Sequence, residues 1–149
     1  MLTRGFEKIT EYAETDILLP KRQTAHAAGY DFYLPQKVVL PPQTVQLVPT
    51  GLKAYMQKDE VLTIYIRSSL AVKRGIVLVN NVGIIDADYY NNPDNEGHIM
   101  LALYNIGREE IVLQKNERVA QGIFCKYLLA DDDITVRKEI RSGGFGSTN

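Results

Sequence analysis

Apolar residues fall along this chain in short, mostly β-branched runs rather than on a repeating helical stripe. The runs are Val38-Val39-Leu40, Val45 to Val48, Val61 to Ile66, Ile76 to Val79, Ile99 to Tyr104, Ile111 to Leu113 and Val119 to Leu129. Turn formers separate them: Pro41-Pro42, Thr50-Gly51, Lys58-Asp59, Asn105 to Gly107, Lys115-Asn116 and Asp131 to Asp133. Such punctuation predicts strands. Their recurrence every ~8–14 residues points to an all-β sandwich, barrel or jelly roll. No stretch of about ten residues keeps the 3.6-residue period of an amphipathic helix. One short helix is expected over Leu70-Ala71-Val72-Lys73-Arg74, with Ser68 or Ser69 as its cap and Gly75 as its left-handed stop. Residues 1–140 read as one domain. Residues 141–149 read as a Gly- and Ser-rich arm, flexible unless something binds it.

Composition narrows the classes. A chain of 149 residues can bury roughly 70% of its unfolded surface in a single core, so no staples are required. Lys plus Arg is 17 against 18 for Asp plus Glu, so the basic surplus that phosphate-backbone binding wants is missing and no nucleic-acid partner is expected. No apolar run approaches the ~18 residues of a membrane span, and Met1 to Thr10 holds no apolar signal core. A single cysteine, Cys125, cannot form an internal disulfide, which favours a reducing, cytoplasmic setting. Flanked by Ile123-Phe124, it reads as a small core residue, not a nucleophile. His26 and His98 lack partners at ligand spacing, which argues against zinc. Any metal would be a hard cation such as Mg²⁺, held mainly by ligand phosphates and waters.

Five segments exceed what a bare strand scaffold needs. In Ala28-Gly29-Tyr30-Asp31-Phe32-Tyr33 an Asp stands between aromatics, where burial would demand a cation, a donor or water. In Arg67-Ser68-Ser69-Leu70-Ala71 a strand runs into a helix start, which is either an anion cradle or simple capping. Asn80 to Tyr89 turns through Asn and Gly and then sets Asp86 and Asp88 at i and i+2, on one face if the strand continues. Glu117-Arg118-Val119-Ala120-Gln121 opens a strand with polar groups, or merely carries a surface ion pair. In Arg141 to Thr148 a lone Phe145 among glycines can close over a planar ligand while Arg141, Ser147 and Thr148 donate to phosphates. The Gly-Lys-Ser/Thr ending of a P-loop is absent.

In this order and spacing, the five segments resemble the five motifs of the trimeric deoxyuridine triphosphatase (dUTPase) family, over nearly the whole chain. The resemblance implies a jelly-roll-like distorted β-barrel with one short helix and a closing tail. It further implies a homotrimer with active sites shared between subunits: motifs one, two and four from one, motif three from a second, the tail from a third. The implied reaction is Mg²⁺-assisted hydrolysis of dUTP to dUMP and pyrophosphate, by in-line water attack on the α-phosphorus. Asp86 would be the general base and Asp31 would hold the metal through water. Arg67, Ser68, Ser69 and Gln121 would fix the triphosphate. Asn80, Gly83 and Ile85 would read uracil largely with backbone groups, and Tyr89 would pack where a ribose 2′-hydroxyl would sit. Phe145 and Gly146 would cover the base, Ser147 and Thr148 would support the phosphates, and Arg141 would reach the γ-phosphate, with Arg137 as substitute because the tail spacing is one residue tight. Asn91 to Glu96 reads as a surface loop inserted after Tyr89. A dCTP deaminase shares the fold, but this chain follows the triphosphatase pattern at Asp86, Tyr89 and Phe145. Some phage-encoded relatives also bind regulatory proteins, so the resemblance leaves such a partner open.

Overall fold

The computed structural model describes residues 1–133, 138, 141–146 and 148. Among them run β1 (Gly5–Lys8), β2 (Tyr30–Tyr33), β3 (Val38–Leu40), β4 (Val45–Pro49), β5 (Leu52–Tyr55), β6 (Glu60–Ile66), α1 (Ser68–Arg74), β7 (Ile76–Leu78), β8 (Gly83–Asp86), β9 (Met100–Asn105), β10 (Ile111–Leu113) and β11 (Arg118–Lys126). All pairings are antiparallel, in the orders β1-β5, β10-β3, β2-β11-β6-β8 and β4-β9-β7. The all-β expectation holds, and hydrogen bonding distributes the strands over these sheets without closing one continuous barrel. None of the described helices is long and apolar enough to cross a membrane.

The core lies between the sheets. Along β6, Leu62 and Ile64 point inward and are buried, while Val61, Thr63 and Tyr65 between them are partly exposed. Phe32, Leu40, Leu52, Leu101, Leu103, Leu113 and Val119 complete one contiguous cluster. Glu60, at the buried start of β6, is matched by a two-pronged Arg4, Nε–Oε2 2.6 Å and Nη2–Oε1 2.7 Å, which holds its carboxyl below the ordinary range.

Two expectations are corrected here. Cys125 is exposed near the end of β11, beyond the stretch where that strand covers the core. The helix starts two residues early at Ser68, its cap position is Arg67, and no side chain caps it. Gly75 is left-handed at φ 64°, as expected of the stop, and its N–H returns to Leu70 O.

Candidate active site

The largest sheet divides the five segments into two groups. The first gathers where β2, β11 and β6 meet. Gln121 lies opposite Asp31 on one side and Tyr65 on the other. Asp31 is buried and pairs with Arg118, Nη1–Oδ2 3.0 Å, so the cation that burial demanded is supplied by the fourth segment. Arg118 and Gln121 are three positions apart and would face opposite ways on a regular strand. A bulge between Arg118 and Ala120 adds the residue that brings both to the face of Asp31. Gly29 leaves room beside them: a Cβ there would meet the Gln121 side-chain oxygen and make it shift. Arg67 N–H donates to Val119 O at 3.1 Å and its guanidinium to Arg118 O at 3.3 Å, which ties the second segment to the fourth. The uncapped helix start leaves the Ser68 and Ser69 hydroxyls uncommitted, which favours the cradle over capping.

The second group lies along β8, the edge of the same sheet. Asn81 at φ 64° turns the chain after β7, with its N–H on Leu78 O at 3.0 Å. Gly83 to Asp86 then pair with Ile64 to Val61 of β6. A cavity of about 230 Å³ opens here, lined by Asn80, Val82 to Asp86, Tyr89 and, from the arm, Arg141, Gly144 and Phe145. It lies below the ~300–1,000 Å³ of sites that enclose a whole drug-sized ligand, and has room for a base but not for a triphosphate.

Asp86 and Asp88 do not share a strand face, because β8 ends at Asp86 and a 3₁₀ turn spans Ala87–Tyr89. They converge nonetheless on one cation: Arg141 donates through Nη2 to Asp86 and through Nε to Asp88, the latter at 3.0 Å. Arg141, expected at a γ-phosphate, therefore rests on the carboxylate expected to act as base. Its guanidinium also sits 6.0 Å above the Tyr89 ring. The resemblance implied a tail contributed by a third subunit; here the arm's root meets the third segment of its own chain. Phe145 stands at the cavity, 68% exposed and at φ 47°. Gly146 follows at φ 96°, and Thr148 is exposed. Ser147 and Arg137 lie outside the described residues.

Within one chain Asp86 stands apart from the phosphate-donor candidate Arg67. Asp86 is opposite Val61, whereas Arg67 follows Val61 by six residues. At the rise of a strand that is about 20 Å, against the ~3 Å reach of a general base.

Three features escaped the strand rules. Arg118 was hidden by the bulge, which period-two reading cannot see. Gly29 showed only as part of a segment. The loop after Tyr89 is no plain surface connection: Asn92 and Gly97 are buried within it, and the density of Asn and Asp was its one signal.

Fold and site together define an all-β protein with a small cavity at one sheet edge and a row of buried and charged polar side chains on the strands beside it, an arrangement suited to a nucleotide. Comparison with known proteins narrows the class. The dUTPase family model matches residues 15–149. A Lactococcus lactis deoxyuridine 5'-triphosphate nucleotidohydrolase is 54% identical over 148 residues, 99% of each chain. That of Rickettsia peacockii is 38% identical over 88% of each. The crystal structure of the Streptococcus mutans dUTPase superposes with TM-score 0.81 at 53% identity, covering 85% of this chain and 98% of that one. A dUTPase from phage phi11 of S. aureus shares the fold at TM-score 0.73 and 17% identity, covering 97% and 100%. The chain belongs to the dUTPase family.

Proposed function

We propose that this protein hydrolyses dUTP to dUMP and pyrophosphate in the cytoplasm, keeping uracil out of DNA and supplying dUMP for thymidylate synthesis. The observation that carries this reading is the Asn80–Tyr89 pocket with Asp86 at its rim and Phe145 at its mouth. Because Asp86 and the phosphate donor Arg67 lie about 20 Å apart in one chain, each site is shared between subunits of a homotrimer. The donors of Arg67, Ser68, Ser69 and Gln121 come from one subunit. Asp86 and Tyr89 come from a neighbour, and the arm, residues 141–149, closes the site.

Uracil enters against the Asn80, Gly83 and Ile85 backbone, where a thymine methyl finds no room. Cytosine offers the wrong donors and strands buried polar groups, a strong form of discrimination. Tyr89 takes the space of a ribose 2′-hydroxyl. Phe145 stacks over the base, with Gly146 giving the turn that follows it, and Ser147 and Thr148 support the phosphates. Arg141 exchanges its carboxylates for the γ-phosphate, since the same guanidinium fork fits both. That exchange frees Asp86 to take a proton from the attacking water, worth typically 10²–10⁴-fold. Charge moving onto the pyrophosphate is met by the placed donors.

Among the described residues no cluster of three His, Cys, Asp or Glu could hold a metal by itself. The donors present fit a cation carried by substrate phosphates and waters: Arg118 occupies Oδ2 of Asp31, leaving Oδ1 to accept from a metal-bound water. Bound Mg²⁺ would neutralise phosphate charge in the transition state.

The test is incubation of the purified protein with Mg²⁺ and, separately, dUTP, UTP, dTTP and dCTP, with products resolved by chromatography. The expected result is conversion of dUTP alone to dUMP and pyrophosphate. Release of dUTP from dCTP would make the protein a deaminase. Inertness of a folded trimer toward all four would make it a binding protein.

A further inference from the structure

We infer that Asn95, held by Asn92, is a positioning residue that sets the Tyr89 ring to sort deoxyribose from ribose; the inference rests on the role proposed for Tyr89. The loop after Tyr89 is braced at its far end. The Glu96 carboxylate accepts from Thr10 N–H at 3.1 Å, from Thr10 Oγ1 at 2.9 Å and from Lys53 Nζ at 2.8 Å. Lys53 is buried in β5 and also donates to Asn91 Oδ1 at 2.6 Å, so a loop that swung away would leave the ammonium only the Glu7 carboxylate at 3.9 Å.

The near end grips Tyr89. Asn92 is 5% exposed and uses its whole amide: Oδ1 accepts from the N–H of Asp94 and Asn95, while Nδ2 donates to Tyr89 O at 2.8 Å and to Asn95 Oδ1 at 2.7 Å. Asn95 Oδ1 also accepts from Gly97 N–H. These bonds fix the Asn95 amide so that Nδ2 donates to Tyr89 Oη at 2.8 Å, and Oη in turn donates to His98 O at 2.7 Å. Gly97, at φ 90°, lets the loop close under Tyr89, since a Cβ there would lie 2.8 Å from Tyr89 O.

The chemical consequence is specific. The hydroxyl is the one side-chain group of Tyr89 able to accept a bond from a ribose 2′-hydroxyl. Here it is turned inward and receives one bond while giving one. Only the apolar ring faces the cavity, so a 2′-hydroxyl placed against it would lose water and gain no partner. The arm's root packs on the ring as well: Gly144, which lines the same cavity, is so close that a Cβ would lie 3.0 Å from Tyr89 Cε1, and Asp94 N–H donates to Ser142 O at 3.2 Å. The ring is thus held between loop and arm.

The test compares kcat/KM for dUTP and UTP in wild type, Asn95→Ala, the isosteric Asn95→Asp, Tyr89→Phe and the Tyr89→Phe/Asn95→Ala double variant. Both Asn95 variants should raise the UTP-to-dUTP ratio roughly five- to tenfold, the worth of one lost hydrogen bond. On the Tyr89→Phe background, Asn95→Ala should add less than about twofold, because the two changes remove one interaction. An unchanged ratio with active wild type, or a change fully additive to Tyr89→Phe, would overturn this inference alone. Wild type inert toward dUTP would overturn the underlying reading and the role of Tyr89 with it.

Discussion

In the proposed function, the two sides of the β2-β11-β6-β8 sheet are built differently for different parts of the nucleotide. At the inner end, Asp31, Arg118 and Gln121 project from strands paired on both sides or bridged across, and every charge has a short, fixed partner. At the outer end, β8 is an edge, the chain leaves it through a 3₁₀ turn, and the Asp86 and Asp88 side chains stay 53% and 62% exposed. The difference follows from what each end must recognise. A triphosphate is read by charge, and fixed donors inside a ladder cost no reorganisation when charge moves. A flat base is read by N–H and C=O groups, which only an edge strand and a turn leave unpaired. On that proposal, side chains serve the middle of the sheet and backbone serves its rim.

The largest effect should come from separating the two ends. Asp86→Asn should keep the fold and lose about 10²–10⁴ in turnover. Arg67→Ala should lose phosphate binding at the other end. If the ends belong to different subunits, unfolding and refolding the two inactive variants together should restore activity to about a quarter of wild type, the share of sites that draw both intact halves under random assembly. Recovery no greater than the sum of the separate variants would place both ends in one chain and break the shared-site reading.

The arm gives the next effect. Deleting residues 143–149 should leave the midpoint of urea unfolding unchanged and lower kcat/KM for dUTP by roughly 10²-fold, as loss of a closing segment does. Arg141→Lys should recover little of an Arg141→Ala loss, because an ammonium cannot span two oxygens as the fork spans Asp86 and Asp88. Full activity of the deletion would remove the arm from the mechanism.

The middle of the sheet was the more legible end in sequence, and the physical reason is periodicity. Leu62 and Ile64 alternate with half-exposed neighbours along β6, so the strand announced itself. β5 did not, because Lys53 occupies a buried position and owes its tolerance there to Glu96, 43 residues away. The bulge in β11 reversed the facing of Arg118, and no local pattern encodes a bulge. At the rim, Asp86 and Asp88 were visible as a pair, but the 3₁₀ turn removed them from a common strand face, and their convergence depends on Arg141 from the far end of the chain. Cys125 was misplaced because apolar neighbours imply a core only while the strand remains over it. Motif order named the candidate residues; long-range pairing decided their geometry.

A smaller change tests whether the inner end depends on close approach. Gly29→Ala places a methyl against the Gln121 side chain. The Gln121 amide can shift, so the expected cost is about 1 kcal/mol of stability, with KM for dUTP raised several-fold and discrimination against UTP unaltered, because Tyr89 lies at the other end. An altered UTP ratio would show the two ends to be coupled.

The smallest effect concerns the brace behind the rim, and it depends on pH. Lys53, first, and then Thr10 push the Glu96 carboxyl down to about 2 from an ordinary value of 4.5. The unfolded chain therefore binds the proton more readily, and the brace contributes its full stability above about pH 4.5 and loses it as pH falls toward 2. Burial lowers His98 as well, so charging it begins a separate loss as pH falls below 6.5. Glu96→Gln removes the first effect and keeps the second. Urea unfolding should find the variant about 1–2 kcal/mol less stable than wild type at pH 7, with the gap cut to about half at pH 3 and closing only toward pH 2. A gap of equal size across this range would mean that Glu96 acts through packing, and that the loop behind Tyr89 does not need its charge.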